Sequence, residues 1–446
     1  MPRFLDLFMD ELRRNRGRLL DLLMMSEDRL CIYRDLFFRY WNGFPEVGEF
    51  SGEVFAVDSS DGVVECKNGV SIHICRALGL SNSRKEFREL KVGVFYSAKR
   101  RNDLVVFRSR MREHVEHLLS IKCLGNYSEG SSGRVLLLDG SLYGRMAHLP
   151  RDSEISGYQG FMLDYIEVYS RFLREAREMG IPVVGVSKDS RSRILRGIIL
   201  GHELERRLSL NPLGSRVEQE VLSCWSEIWK RPRNAVRRLN ELSKVVSVPR
   251  WVREIFEEAL VARPDVHLIM HLVREAGFTT PLLLGVPSPA LDPLMYAFRE
   301  GDLEAYVENN FSKALIEGGE EVFRRADRVL PLVFEYPAIF MFYYVPRKGD
   351  IPLRVDVPGW VLGCDMRVGD VEFHEVSFSE DRLLWVLSVL NGFYAGPKHY
   401  NVLLEEVDSK VKLRLRDLTN IYESVLMREL DMLIEHTRGV RRVRYP

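Results

Sequence analysis

The sequence predicts a mixed α/β fold: a mixed sheet core flanked by helices, interrupted by a mainly helical insertion. Three observations predict it. Short apolar runs at Val54–Val57, Val135–Leu138 and Pro182–Val186 read as buried strands, each leading into polar or charged residues. Helical periodicity lies between the later runs, which gives the element order of a mixed α/β chain. The length, 446 residues, exceeds the roughly 250–300 residues that one core usually supports, so an insertion or a second domain is expected.

Residues 2–43 carry apolar side chains at spacings of three and four: Leu5, Phe8 and Leu12, then Leu19, Leu22 and Leu23, then Leu36, Phe37 and Tyr40. This is the stripe of amphipathic helices, and Gly43, Pro45 and Gly48 end it. An N-terminal helical arm is therefore expected over 1–48 and the first part of the sheet core over 49–202. Within that core, Val54–Val57, Ser71–Cys75, Val92–Tyr96 and Leu104–Phe107 predict a β-meander punctuated by Gly62 and Gly69. A helix over 108–122, a strand over 134–138, a helix over 157–179 and a strand over 182–186 follow. Residues 203–330 read as a helical insertion, locally basic at Lys230-Arg231-Pro232-Arg233 and Arg237-Arg238, with a return strand near Leu282–Gly285. Strands resume at Ile339–Val345 and Pro352–Val357 in a second part of the core, 331–446. That part ends in a helical stretch from Tyr400 to about His436 and a basic tail at Arg438–Arg444.

Lys plus Arg number 64 and Asp plus Glu number 64, so the formal net charge is zero. A nucleic-acid binder is often basic. Any affinity of this chain for DNA must come from local basic runs, such as 188–193, 230–238 and 438–444. With 46% hydrophobic residues the chain is not an acidic disordered protein. The six cysteines form no CxxC pair, which excludes a zinc ribbon and a thioredoxin-type motif. Scattered thiols and a charged N-terminus without a signal-type apolar region predict a cytoplasmic protein. The most apolar stretch, Val329–Val345, contains Pro331, Glu335 and Pro337, so it predicts core strands and no membrane span.

The chemistry is expected from carboxylates at strand ends. Val54–Val57 runs into Asp58, and Val135–Leu138 into Asp139. An Asp in that place also serves as a turn former or helix N-cap. Here each is followed by small residues, Ser59-Ser60 and Gly140-Ser141, which let a backbone and a phosphate approach closely. Carboxylates crowded on neighbouring strands repel one another unless a hard cation such as Mg²⁺ or Mn²⁺ neutralises them. Helical candidates for further ligands are Glu113 or Glu116, beside the stripe Met111, Val115, Leu118 and Leu119, and Asp408, aligned with Leu404 and Val411. Lys188 opens the polar run Asp189-Ser190-Arg191-Ser192-Arg193, a candidate anion-contact loop or an ordinary surface loop.

Val57-Asp58-Ser59-Ser60, Leu137-Leu138-Asp139-Gly140-Ser141-Leu142 and Val184-Gly185-Val186-Ser187-Lys188 resemble successive motifs of the NurA nuclease family. The strand at 352–357 and the helix Glu406–Leu413 fit that family's late region. The resemblance implies an RNase H-like core and a manganese-dependent deoxyribonuclease, Mg²⁺ being the other candidate ion. It also implies a homodimer that resects DNA ends with a HerA-type hexameric translocase during double-strand break repair. The activities implied are cleavage of single strands and 5′–3′ exonuclease action on duplex ends. By motif match Asp58 and Asp139 are metal ligands, and Glu116 is preferred to Glu113 as the helical Glu. Two departures stand out: Ser59 where the family usually has Gly, and Val407-Asp408 where it commonly has Ala-His.

The expected mechanism is phosphodiester hydrolysis with Asp58, Glu116, Asp139 and Asp408 holding one or two ions and Lys188 binding the scissile phosphate. Ser59, Ser141, Arg191, Arg193 and Tyr344 are candidate DNA contacts, although Tyr343 and Tyr344 also fit a strand core. The alternatives are a non-catalytic DNA-end adaptor and an unrelated enzyme acting on small phosphates. Residues 125–132 have Walker-like glycine spacing without the Lys, and His267/His271 lack the Glu of a zinc protease. His399 is a further candidate near the C-terminal helix.

Overall fold

The apolar run at 54–57 is the first third of a much longer strand, Glu53–Glu65. All of Val54–Val57 is buried, as a strand covered on both faces requires. The computed structural model describes residues 4–96, 101–128, 130, 133–431 and 434–435; the basic tail at 438–444 lies outside them. The ten described strands are β1 (Trp41–Gly43), β2 (Glu53–Glu65), β3 (Val70–Ser81), β4 (Glu86–Tyr96), β5 (Arg134–Asp139), β6 (Val183–Ser187), β7 (Gly277–Thr279), β8 (Leu282–Leu284), β9 (Ile339–Val345) and β10 (Leu353–Pro358).

The chain packs as two units. One gathers 1–44, 188–280 and 343–353; the other gathers 45–187, 281–342 and 354–446. The stretch 203–330, expected as one insertion, is thus divided between them after Thr280. In the larger unit β2, β3 and β4 form an antiparallel meander. β5 lies parallel to β2, β6 parallel to β5, and β10 antiparallel to β6. An antiparallel meander with parallel strands added beside its first strand is the RNase H-like arrangement. The parallel pairs are joined through helices, Arg101–Leu124 and Phe161–Glu178. These helices bury Met111, Val115, Leu119, Phe161, Tyr165 and Tyr169 with Phe55, Val57, Leu136 and Leu138. The helix Val402–Val411 also packs on β2, β3 and β5.

Residues 104–107 correct one expectation. They are the second turn of the Arg101–Leu124 helix, not a strand. Val105 and Val106 gave the strand signal, but both are exposed, while Phe107 is buried four residues before Met111 and continues the helical stripe. The C-terminal stretch is also broken: its helix ends at Val411, and shorter helical turns resume at Leu415.

The smaller unit holds the arm helices Leu5–Arg14, Arg16–Leu23 and Glu27–Tyr40, with helices from Ile194 to Leu272. β1 pairs with β7, and β7 pairs with Tyr344 and Val345 of β9. All six cysteines are free, and among the described residues no helix is long and apolar enough to cross a membrane.

Two positions set expected stabilities. A Cβ at Gly185 of β6 would come within 2.7 Å of the Gly140 carbonyl oxygen and 2.9 Å of Leu142. Gly185→Ala is therefore expected to cost about 1–3 kcal/mol by denaturant unfolding. At the start of β2, buried Glu53 accepts from the Ser128 N–H at 2.6 Å, from the Ser83 hydroxyl, and pairs with Lys85 at 3.2 Å. Burial alone would raise this carboxyl, but those donors outweigh it and hold it at about 2. The folded value lies below the unfolded one, so the stabilisation is present above pH 4.5 and is lost as pH falls toward 2. Glu53→Gln is expected to cost about 2 kcal/mol at pH 7, and the gap to wild type should narrow in melts below pH 4.5.

Candidate active site

The register of β2 and β5 decides the site. Val57 pairs with Leu138, so Asp58 and Asp139 stand one residue further on, side by side at the carboxyl end of the parallel pair. Asp58 is 4% exposed and Asp139 half-buried. The chain turns sharply after Asp139 through Gly140, whose φ of +108° suits glycine alone. Glu116, 3% exposed, reaches the cluster from the Arg101–Leu124 helix. Burial first, and then the charges of Glu116 and Asp139, push the Asp58 carboxyl up to about 8, against the Ser59 N–H it accepts at 2.7 Å and the nearby Arg112.

Of the two helical candidates the structure brings Glu116, not Glu113, to Asp58. Glu113 accepts from Tyr165 at 2.6 Å and contacts His148 at 2.7 Å. The Glu116 carboxylate is itself engaged, by the Ser59 hydroxyl and by Arg145 Nη2 at 2.6 Å. Arg145 is buried and also donates to the Asp139 carbonyl at 3.1 Å and to His117 Nε2 at 2.9 Å, so that ring nitrogen is an acceptor. Burial works against the Arg145 charge, but Glu116 and Glu113 outweigh it and raise its pKa. Arg112 donates to the Ser59 carbonyl at 2.9 Å and approaches Asp58 at 4.0 Å.

Ser141 is the N-cap of the short helix Leu142–Met146, accepting from Gly144 N–H at 2.8 Å, while its hydroxyl donates to Asp356. Asp356 is fully buried, bonded to Arg354 at 2.8 Å and to the Tyr143 N–H at 3.1 Å. Asp408 is half-buried on the Val402–Val411 helix, between buried Leu404 and Val411, and is not among the groups acting most strongly on Asp58. His399 is exposed and pairs with Glu405 at 2.7 Å. Lys188, Arg191 and Arg193 follow β6 in the smaller unit, Lys188 half-buried and both arginines exposed. Tyr343 and Tyr344 are completely buried, Tyr343 donating to Asp265 at 3.0 Å. They form strand core, so Tyr344 is not placed to stack on a nucleic-acid strand.

Arg145 and Asp356 escaped the sequence reading. Neither lies in an apolar-run-plus-acid pattern, and an arginine four residues after an N-cap Ser looks like surface. Arg112 had one signal: it precedes Glu116 by one helical turn.

A cation must be judged against this donor set. Asp58 and Asp139 fit one: they are adjacent hard-oxygen donors, and a cation would relieve the burial and the mutual repulsion that push the Asp58 carboxyl up. Glu116 is engaged by Arg145 and by the Ser59 hydroxyl. Among the described residues no three His, Cys, Asp or Glu side chains converge closely enough to hold a metal ion.

Sheet order and paired acids define an α/β protein of RNase H-like architecture. The NurA domain family model matches residues 52–413, and the chain belongs to that family. The NurA nuclease from Sulfolobus solfataricus has a similar fold, with a TM-score of 0.54, 14% identity, and coverage of 97% of this chain and 98% of that one. A second NurA structure aligns at TM-score 0.44 with 13% identity, over 93% of this chain and 96% of that one. A NurA structure bound to dAMP and manganese aligns at 0.40 with 15% identity, over 94% and 96%. Among curated proteins no sequence matches this chain significantly.

Proposed function

We propose that this protein is a divalent-metal-dependent DNA nuclease that hydrolyses phosphodiester bonds at its Asp58–Asp139 site. The observation that carries the reading is the pairing of those two acids one step beyond Val57 and Leu138, in a chain of the NurA family. Asp58 and Asp139 would hold Mn²⁺ or Mg²⁺, with Glu116 and Asp408 as the further ligands that the family resemblance implies. An ion held there would supply positive charge against the phosphate oxygens and would lower the pKa of an attacking water.

The remaining groups position that pair. Arg145 fixes the Asp139 main chain and the Glu116 carboxylate together, and Ser59 bridges Glu116 to the strand that carries Asp58. Of the DNA contacts expected from sequence, Arg191 and Arg193 are exposed to meet a strand, whereas Ser59 and Tyr344 are buried. Lys188 is the proposed phosphate ligand. The biological setting we propose is cytoplasmic resection of double-strand break ends, by a homodimer working with a HerA-type translocase. Zero net charge supports dependence on such a partner for processive work.

Asp139→Ala should abolish Mn²⁺-dependent cleavage of single-stranded DNA and of duplex 5′ ends. Cleavage at the wild-type rate would overturn the proposal. A non-catalytic DNA-end adaptor is the second reading, favoured by the buried Arg145–Glu116 ion pair inside the cluster. Calorimetry separates the two, because an adaptor takes up no Mn²⁺.

A further inference from the structure

A cavity of about 530 Å³ lies beside the first turns of the Arg101–Leu124 helix and the start of the Ser312–Val329 helix. Its described lining includes Arg110, Arg151 and Phe161, and none of Asp58, Glu116 or Asp139. The volume falls within the range of small-molecule sites, about 300–1,000 Å³. Nothing in the nuclease reading uses it.

Its cations are the unusual feature. Arg110 Nε is buried and among the described residues has no hydrogen-bond partner, while Nη1 donates to the Met162 sulfur at 3.4 Å. Arg151 is exposed at the mouth. Among the described residues no carboxylate pairs with either arginine. Burial, and then the Arg151 charge, lower the Arg110 pKa and outweigh Tyr165 and Glu113, which raise it, so the two guanidiniums repel one another. The acids of the wall are largely used elsewhere. Asp152 caps the Ser312–Val329 helix, accepting from Lys313 and Ala314 N–H at 2.7 and 3.1 Å. Glu154 pairs with Lys313 at 2.5 Å. Asp103 remains, against two arginines. Val106, Phe107 and Phe161 supply an apolar part of the lining.

Two guanidiniums that repel one another, one with an orphaned buried N–H, need an anion that accepts from both. A terminal phosphate carries about −1.5 to −2 charge at pH 7 and matches two cations better than a singly charged diester does. We infer that this cavity is a second ligand site that binds a terminal phosphate, shared by Arg110 and Arg151, with the attached nucleoside against Phe107 and Phe161. The phosphate belongs either to a free mononucleotide or to the phosphorylated end of a strand. The inference goes beyond the nuclease reading and does not depend on it.

The test is calorimetric titration of the full chain in EDTA, so that no divalent ion contributes. The probes are thymidine 5′-monophosphate, thymidine, and a short oligothymidylate with a 5′-phosphate or a 5′-hydroxyl. Phosphate-dependent binding is expected, weakened about tenfold or more by Arg151→Ala and partly restored by Arg151→Lys. Arg151 is exposed, so its replacement leaves folding intact; unchanged thermal melting checks this. Asp58→Asn should leave this binding unchanged, which separates the site from the carboxylate pair. Binding of the mononucleotide and the 5′-phosphorylated strand alike points to both sources, and binding of the strand alone to strand ends. Absence of phosphate-dependent binding in the wild type, or wild-type affinity in Arg151→Ala, overturns the inference.

Discussion

Asp58→Asn is expected to reduce DNA cleavage on the order of 10³-fold, about 4 kcal/mol of activation free energy, while making the metal-free protein more stable. Both effects have one origin. Asp58 is buried beside Glu116 and Asp139, and its carboxyl sits at about 8 against an unfolded value of 3.8. A carboxyl whose folded value is raised binds its proton more tightly in the folded state. The proton-linked stability is fully present below pH 3.8 and is lost as pH rises through 8. Asn has the same shape, can still accept from the Ser59 N–H, and carries no charge at any of these pH values. Its advantage should therefore be small at pH 4 and grow to roughly 1 kcal/mol or more by pH 8. Thermal melts in EDTA at the two pH values, alongside a cleavage assay with Mn²⁺, measure both. A variant less stable than wild type at pH 8 would show that Asp58 is not electrostatically strained. The same linkage predicts that cation binding by the wild type releases a proton below pH 8, visible as a buffer-dependent calorimetric enthalpy.

The largest loss of stability is expected at Arg196, in the smaller unit. This guanidinium is 2% exposed. It donates to the Tyr33 hydroxyl at 2.9 Å and to the Val261, Arg263 and Glu258 carbonyls at 3.2, 2.5 and 3.0 Å. It also pairs with the Glu258 carboxylate at 2.9 Å. Removing it takes the guanidinium donor from the Val261 and Arg263 carbonyls and leaves the Glu258 carboxylate to Arg263 at 3.2 Å, Tyr33 at 3.0 Å and the more distant Arg29 at 3.8 Å. Arg196→Ala should cost about 3–5 kcal/mol in denaturant unfolding. Arg250→Ala is the comparison. That residue is exposed and pairs with Glu254 at 2.8 Å on the surface, so its loss should change stability by no more than about 0.5 kcal/mol. Equal effects from the two variants would contradict the ranking.

Much of the sheet could be read from the chain because burial on both faces leaves a continuous apolar run. Ile339–Val345 is a strand with the limits its sequence predicts, and Arg134–Asp139 extends its run by only the terminal Asp. The meander was legible in outline. Its strands run longer than their apolar parts because antiparallel pairing carries β2 on through Ser60, Asp61 and Gly62, opposite Arg76, Cys75 and Ile74. Asp61 can sit there because His73 meets it at 2.9 Å and Arg108 at 2.5 Å. Leu104–Phe107 misled because two β-branched residues outweigh one buried Phe in a short window. The packing of Phe107 on Phe95 and Phe161 decides the helix.

The sequence by itself determined the α/β class, the RNase H-like resemblance and the two acids that follow the apolar runs of β2 and β5, since these depend on local apolar pattern and on order along the chain. Tertiary structure decided what surrounds them. The β2–β5 register makes Asp58 and Asp139 neighbours. The facing of one helix turns Glu116 toward Ser59 and Glu113 toward Tyr165 and His148, and the turn after Asp139 brings Arg145 back onto Glu116 and the Asp139 carbonyl. Those are long-range contacts between polar residues that carry no periodic signal. Their partners, and hence their charge states, exist only once the strands have paired and water has been excluded.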